Sequence, residues 1–483
     1  MAQSTPLKHI LVCGSGLAAQ MTVAALSAQV PDTLRITWLK APDTAGRDVL
    51  YGNVAPPSAY DFNLNIGLDE PALVLRGAVS FAFGTQYMDW GPDRRTWIQA
   101  FHAPFPVLNG VLFYHYLLRQ GVSDLAPYLV SAFAASTGAF AHPPEDQRHP
   151  LSRAEYGYQF DHEAYGALFE ALVPPAVTRI LSAIAAVHRD DDDIRSVELI
   201  DGRTLAADLF IDCTGPQARL GAPLPTGRQL GFLSGSSLSA DLGAPVRTVK
   251  AGAYGWTSET AGDGKAHRLT VYDRQDRDLA VEAHGESAAV EADFTVGRRA
   301  QAWLGNCVAI GQAAGVVEPV TPAPFMLLQR DIERLLTLLP ASADMAVERR
   351  EFNRQYTEDY RNAELFNRAL FASKAAPTTA YWKAAAASAP DERLAAKLEQ
   401  FESRGLHVAY DLEPFEREDW IIMHFGMGRC PERHDRIADQ MPDEALGRYL
   451  KDMKDSIAQA VKSMPPHAAY RQGLVGFLRQ QGA

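Results

Sequence analysis

Hydrophobic and polar positions divide this chain into two textures. Residues 9–13 (HILVC) are a short, nearly continuous apolar run, the pattern of a strand buried on both faces, and Gly14-Ser15-Gly16 follows at once. Residues 17–27 then place apolar side chains at helical spacing, and a second strand pattern, LRITWL, occupies 34–39. Strand, glycine turn, helix, strand is the opening of a dinucleotide-binding α/β fold. Residues 179–186, 197–200 and 205–212 read as further strands, with the acidic run 190–193 and Asp201-Gly202 as the turns between them. Residues 246–256 and 268–272 read as strands on either side of the turn Gly262-Asp263-Gly264, and 142–150 (HPPEDQRHP) as a loop. From 331 onward the texture changes: 332–339, 345–373, 391–401, 415–425 and 444–464 all show helical spacing. The fold class expected is α/β (α+β). A Rossmann-like GxGxxG module with mixed sheets would span 1–335, including a substrate-wall insertion around 80–150, and a helical C-terminal region, 336–483, would pack on it.

Composition narrows the function classes. The 483 residues carry 46 Lys+Arg against 58 Asp+Glu, a net charge of −12, which argues against binding to nucleic acid or to an anionic membrane surface. No apolar run reaches the roughly 18 residues needed to span a bilayer. An N-terminal signal peptide is disfavoured because Gly14, Gly16, Gln20 and Thr22 interrupt the apolar stretch. The four cysteines (Cys13, Cys213, Cys307, Cys430) lie far apart, so neither a disulfide framework nor a metal spacing is expected, and a cytoplasmic location follows. The 13 histidines include no HxH or HxxxH pair, so a zinc site is not expected either.

Gly14-x-Gly16-x-x-Ala19 sits where a strand meets a helix. There, backbone amides and a helix N-terminus can cradle a pyrophosphate. A carboxylate is expected at the end of the second strand to hold the ribose, but Lys40 stands there, with Asp43 the nearest acid. Two later strands also run into small residues, ending at Thr214-Gly215 and at 311–315 (GQAAG), where Gly311, Ala314 and Gly315 would let backbone approach a flat ring and its phosphate chain. A single GxGxxG points to FAD rather than to paired FAD and NAD sites, so electrons would come from a separate flavin reductase or from diffusing reduced flavin.

Several stretches together resemble the flavin-dependent tryptophan halogenases over nearly the whole chain. They are GSGLAAQM (14–21), YGYQFDHEAY (156–165), ADLFIDCTG (207–215), LGNCVAIGQAAGVVEP (304–319), QRDIERL (329–335), FNRQY (352–356), MGRCPERHD (427–435) and SMPPHAAY (463–470). The resemblance implies a box-shaped FAD module with a helical substrate region, and a homodimer. It also implies chemistry in which reduced FAD and O2 oxidise halide to hypohalous acid. A lysine, aided by a glutamate, then directs that oxidant to an indole-like ring.

This sequence departs from the family pattern where that chemistry is carried. In the stretch resembling FKxGxxFxxW, here FAFGTQYMDW (81–90), Ala82 stands at the lysine's place. The EPLESTG stretch reads EPVTPAP (318–324), with Thr321 for the glutamate and with Pro322 and Pro324 removing N–H donors from a loop where the family coordinates halide. The WxWxIP motif keeps only Trp256, and the GVGEAT flavin loop reads LYGNVAP (50–56), with Asn53 for its glutamate. Ordinary halogenation is therefore not expected. His102 and Glu318 are the remaining catalytic candidates, and Trp90, His102 and Phe105 the candidates for a wall against a small aromatic substrate or peptide. Two functions stay open. One is an FAD-dependent monooxygenase-like enzyme; the other is an inactive homologue that serves as a binding or partner subunit.

Overall fold

A computed structural model describes residues 6–31, 33–40, 47–91, 93–101, 105–221, 227–239, 241–262, 264–286, 288–372, 379–387 and 391–482. The first apolar run is the strand His9–Cys13, buried along its whole length. It pairs in parallel with Arg35–Lys40 on one side and with Leu209–Asp212 on the other. Thr178–Leu181 extends this sheet beyond Arg35–Lys40, and Cys307–Ala309 beyond Leu209–Asp212, both in parallel. Trp303–Leu304 closes it as an antiparallel edge. The helix Leu17–Gln29 follows the first glycine turn and buries nine residues, among them Ala18, Ala19, Ala24 and Ala25, whose short side chains allow close packing against other elements.

The acidic run does turn a hairpin, between Ile184–Asp190 and Asp193–Leu199. The stretch read as one strand, 246–256, is instead two antiparallel strands, Arg247–Ala251 and Gly255–Ala261. They are reversed at Gly252–Gly255, whose backbones bond to each other and where Gly255 has φ +149°. The glycine pair at 262–264 closes the next hairpin, onto Lys265–Tyr272. These strands belong to an eight-stranded mixed sheet that also takes in Gly84–Trp90 and Arg95–Ala100.

The C-terminal third is helical, as the spacing predicts. It includes the long helix Ala346–Phe371 together with Glu392–Arg404, Arg417–Gly426 and Asp443–Lys462. Two helices are not among those expected from the spacing, the short Ala380–Ala386 and the terminal His467–Gln481. The latter lays Tyr470, Leu474, Val475 and Leu478 against the core and buries His467 and Arg471. One continuous core links the sheets to these helices, running from Ile10 through Leu328 to Val461.

Candidate functional site

Because the strands His9–Cys13, Leu209–Asp212 and Cys307–Ala309 are parallel neighbours, the three small-residue turns that follow them lie side by side at one end of the sheet. Neighbouring parts of the chain also press close to those turns. Gly14 has φ +138°, and a Cβ there would stand 2.3 Å from the carbonyl oxygen of Cys213, so glycine is demanded by the approach of two strands. A Cβ on Gly315 would lie 2.8 Å from the ring of Tyr360, and one on Gly311, 2.5 Å from the hydroxyl of Tyr51. Ala19 and Ala314 are fully buried, and the Ala314 carbonyl accepts the hydroxyl of Tyr356 at 2.8 Å.

The backbone amides of the turns are also answered from within the chain. Leu17 N–H, at the start of the first helix, donates to Asp48 Oδ2 at 2.9 Å. Gly311 N–H donates to Asp331 Oδ2 at 3.0 Å, and Gln312 N–H to the Tyr51 hydroxyl at 3.3 Å. Thr214 sends both its amide and its hydroxyl to Asp212, at 2.9 and 2.6 Å, and Gly215, at φ +75°, opens the turn beyond it. Burial pushes Asp48 and Asp331 each up to about 6, and raises Asp212 as well. Between Tyr51, Gly311, Gln312, Pro324 and Tyr360 the space left is only about 10 Å³, the lower limit for one water. The Arg47–Tyr51 segment thus lies close against the third turn, through the Tyr51 hydroxyl. Lys40 is taken too: its ammonium meets Glu170 Oε1 at 2.6 Å. Asp43 lies outside the described residues.

The second region lies around the positions that resemble the halogenase lysine and glutamate. Ala82 is fully buried in the strand Val79–Ala82 and packs with Val54 and Phe101 in a dry cluster. Thr321 is buried with its hydroxyl donated to Asn367 Oδ1 at 2.7 Å, and Asn53, at φ +52°, donates to the carbonyl of Phe160. Glu318 is a buried hub. One carboxylate oxygen accepts Trp256 Nε1 at 2.7 Å and the Tyr381 hydroxyl; the other meets Arg228 Nη1 at 3.0 Å. Trp90 is in the core, its indole N–H donated to the Leu370 carbonyl and its ring against Tyr87 and Trp382. Phe105 lines a cavity of about 620 Å³ shared with Tyr128, Arg153, Tyr449 and Asp452. His102 lies outside the described residues. The structure thus brings the three small-residue turns together and sets Trp90 in the core, with Phe105 at a separate cavity.

Sequence reasoning missed Asp48, Tyr51 and Asp331. Only Asp331 carried a signal, as a carboxylate on the buried stripe of Leu327, Leu328, Ile332 and Leu335 in the helix Ala323–Thr337.

An α/β sheet with glycine turns at one end, a second large mixed sheet and a helical cap define the architecture of the flavin-dependent halogenases. The family model for tryptophan halogenase matches residues 9–443, and the chain belongs to that family. Two solved structures agree over almost all of it. BrvH, a flavin-dependent halogenase from Brevundimonas sp. BAL3, has TM-score 0.86 and 25% identity, covering 97% of this chain and 99% of that one. Xcc4156, a flavin-dependent halogenase from Xanthomonas campestris, has TM-score 0.87 and 26% identity, covering 97% and 98%. Tryptophan 6-halogenase ThaL of Streptomyces albogriseolus is 23% identical over 421 residues, 78% of each chain. These relatives use FAD. No helix among the described residues is long and apolar enough to cross a membrane.

Proposed function

We propose that this protein is an FAD-dependent, monooxygenase-like oxidoreductase of the tryptophan halogenase family. It would act in the cytoplasm on an aromatic, indole-like substrate, drawing reduced FAD from a separate flavin reductase and using O2. Ordinary halogenation is not its reaction. The observation that carries this reading is the methyl of Ala82, sealed between Val54 and Phe101 where the family resemblance places an amine. A methyl can neither donate a hydrogen bond nor hold an oxidised halogen. The Thr321 hydroxyl beside Asn367 supplies no carboxylate in compensation. Glu318 remains the carboxylate of this region, but all its bonds go to Trp256, Arg228 and Tyr381, which favours a positioning role.

The direct test is titration of the purified protein with FAD, followed by turnover with reduced FAD, O2 and indole substrates. Saturable flavin binding with an oxygenated, halogen-free product is the expected result; brominated product from the unaltered protein would overturn it. Ala82→Lys combined with Thr321→Glu sharpens the point. That double variant is expected to yield no halogenated product by mass spectrometry, because Pro322 and Pro324 still leave the loop without two N–H donors.

A second reading, that of a partner subunit without turnover, is favoured by one observation: Tyr51 and Asp48 occupy the cradle's donors. Absence of saturable FAD binding up to millimolar flavin would select it. Formation of a homodimer belongs with either reading and is tested by light scattering.

A further inference from the structure

Behind the six-stranded sheet lies a cavity of about 360 Å³ whose lining includes two guanidiniums and, among the described residues, no acid. Leu220 and Cys307 line it, and they cluster with Leu11 and Phe210 of the sheet and with Ile194 and Val197 of the neighbouring hairpin. Ile10 and Val12 alternate to the opposite face, into the core that holds the Leu17–Gln29 helix. The cavity is therefore separate from the narrow space beside Tyr51 and Gly311, with which it shares no lining residue.

The two guanidiniums belong to Arg189 and Arg299. Arg299 is only 7% exposed; its Nε donates to the Ala313 carbonyl, and its Nη2 has no partner. A Cβ on Gly221 would stand 3.1 Å from Nη1, so the missing side chain keeps that end of the fork clear. Arg189 is exposed, and the carbonyls of Asp192, at 3.1 Å, and of Leu220 hold its guanidinium at the rim. Among the described residues neither arginine has a carboxylate within ion-pair distance. Asp212 is the carboxylate whose charge reaches Arg299. Its oxygens, however, are taken by Thr214 and by the Leu220 N–H at 3.0 Å, and burial holds it above the usual carboxylate range.

Burying a guanidinium costs free energy unless an anion meets it, and its planar fork matches a carboxylate. Leu220, Ala300, Ala302 and Leu304 make the remaining wall apolar. Water or an inorganic anion would answer the nitrogens and leave that wall wet. A neutral apolar molecule would cover the wall and leave the charges unanswered. One carboxylate on a compact apolar body does both, and the volume lies at the small end of ligand pockets, roughly 300–1,000 Å³. We infer that the cavity between Arg189 and Arg299 binds a small organic monocarboxylate, its acid on the guanidiniums and its body against Leu220, Ala302 and Leu304. The site stands on side chains this sequence carries, independent of whether FAD is bound.

The test titrates the full chain with sodium benzoate by calorimetry, beside benzamide, which has the body without the charge, and sodium phosphate, which has charge without the body. Benzoate should saturate with a Kd on the order of 1 mM or tighter, and both controls should bind at least tenfold more weakly. Crystals of the unaltered protein soaked in 4-iodobenzoate should show an anomalous iodine peak in this cavity, with the carboxylate within about 3.5 Å of an Arg299 nitrogen. Arg299→Met should weaken benzoate at least tenfold. Ala300→Phe, at an exposed position on the wall, fills the space without disturbing the core and should block binding. Benzamide or phosphate binding as tightly as benzoate would overturn the inference, as would unchanged benzoate affinity in Ala300→Phe. So would an absence of saturable benzoate binding, or an iodine peak found only in the cavity beside Phe105 and Arg153. No arm measures flavin, so failure here leaves the FAD titration above to be judged by itself.

Discussion

Two buried arginines expose how differently this chain treats its two polar regions. Beneath the glycine turns, Arg334 lies between Asp331, at 2.9 Å, and Asp359, which is also held by Arg330 at 2.8 Å. Asp331 in turn accepts the Gly311 amide and the Tyr360 hydroxyl. Cation, carboxylates and turn amides close on one another there. Across the molecule, Arg247 donates to one carbonyl and pairs with no carboxylate among the described residues. The first region answers several of its turn amides with its own oxygens. The second leaves a buried charge without a carboxylate among the described residues. Retaining a family's backbone frame thus says little about where its polar accounts are closed.

The largest expected effect tests this contrast. Arg334→Met leaves Asp331 and Asp359 buried with only Arg330 at the rim, and should cost about 3–5 kcal/mol of unfolding free energy. Arg247→Met removes a charge that no carboxylate among the described residues pairs with, and should cost less than about 1 kcal/mol or raise stability, since an apolar isostere avoids the desolvation penalty. Urea denaturation of both variants measures the difference. Equal losses would mean that Arg247 is compensated after all.

Next comes the filling of the cradle. Tyr51→Ala should destabilise the protein by about 3 kcal/mol, the usual penalty for truncating a buried aromatic ring. It should also tighten FAD binding at least tenfold, about 1.4 kcal/mol, because the ligand no longer has to displace the phenol from Gln312 and Gly311. Flavin fluorescence quenching measures the second effect. An unchanged or weaker Kd would mean that Tyr51 is part of the flavin contact rather than its competitor.

The frame itself was legible in the chain. The run HILVC, the turn at Gly14, and the strand ends at Thr214 and Gly311 gave the sheet and the convergence of its turns, because those features rest on period and on glycine chemistry. The occupants of the turns were not legible. Asp48 reaches Leu17 over 31 residues, and Tyr51 reaches Gln312 over 261, separations at which no local pattern survives. Gly14 permits the tight turn the sequence indicates, but its neighbour there, the Cys213 carbonyl oxygen 2.3 Å from where a Cβ would stand, lies too far along the chain for any local pattern to name. The same holds for Arg247, whose bond to the Pro319 carbonyl spans 72 residues.

The smallest effect concerns the sign of a proton. Asp48 is half-buried with its carboxylate on the Leu17 amide, and burial lifts it from the ordinary 3.8 to about 6. A folded state that holds a proton more tightly than the unfolded chain loses stability as pH rises. The penalty is absent below about pH 4, grows between 4 and 6, and is complete above 6. Asp48→Asn keeps an oxygen for the Leu17 amide but has nothing to titrate. Its stability relative to the unaltered protein should therefore improve by about 1–2 kcal/mol from pH 4 to pH 8, less than a two-unit shift allows because the group keeps some solvent. A pH-independent cost, such as altered packing of the amide, shifts both ends alike and leaves that slope unchanged. Thermal unfolding across this range reads it directly. A flat difference would place an ionised, well-solvated Asp48 at the helix start, a fixed negative charge where a pyrophosphate would sit. Displacing it would then cost the nucleotide more than the Tyr51 contact does.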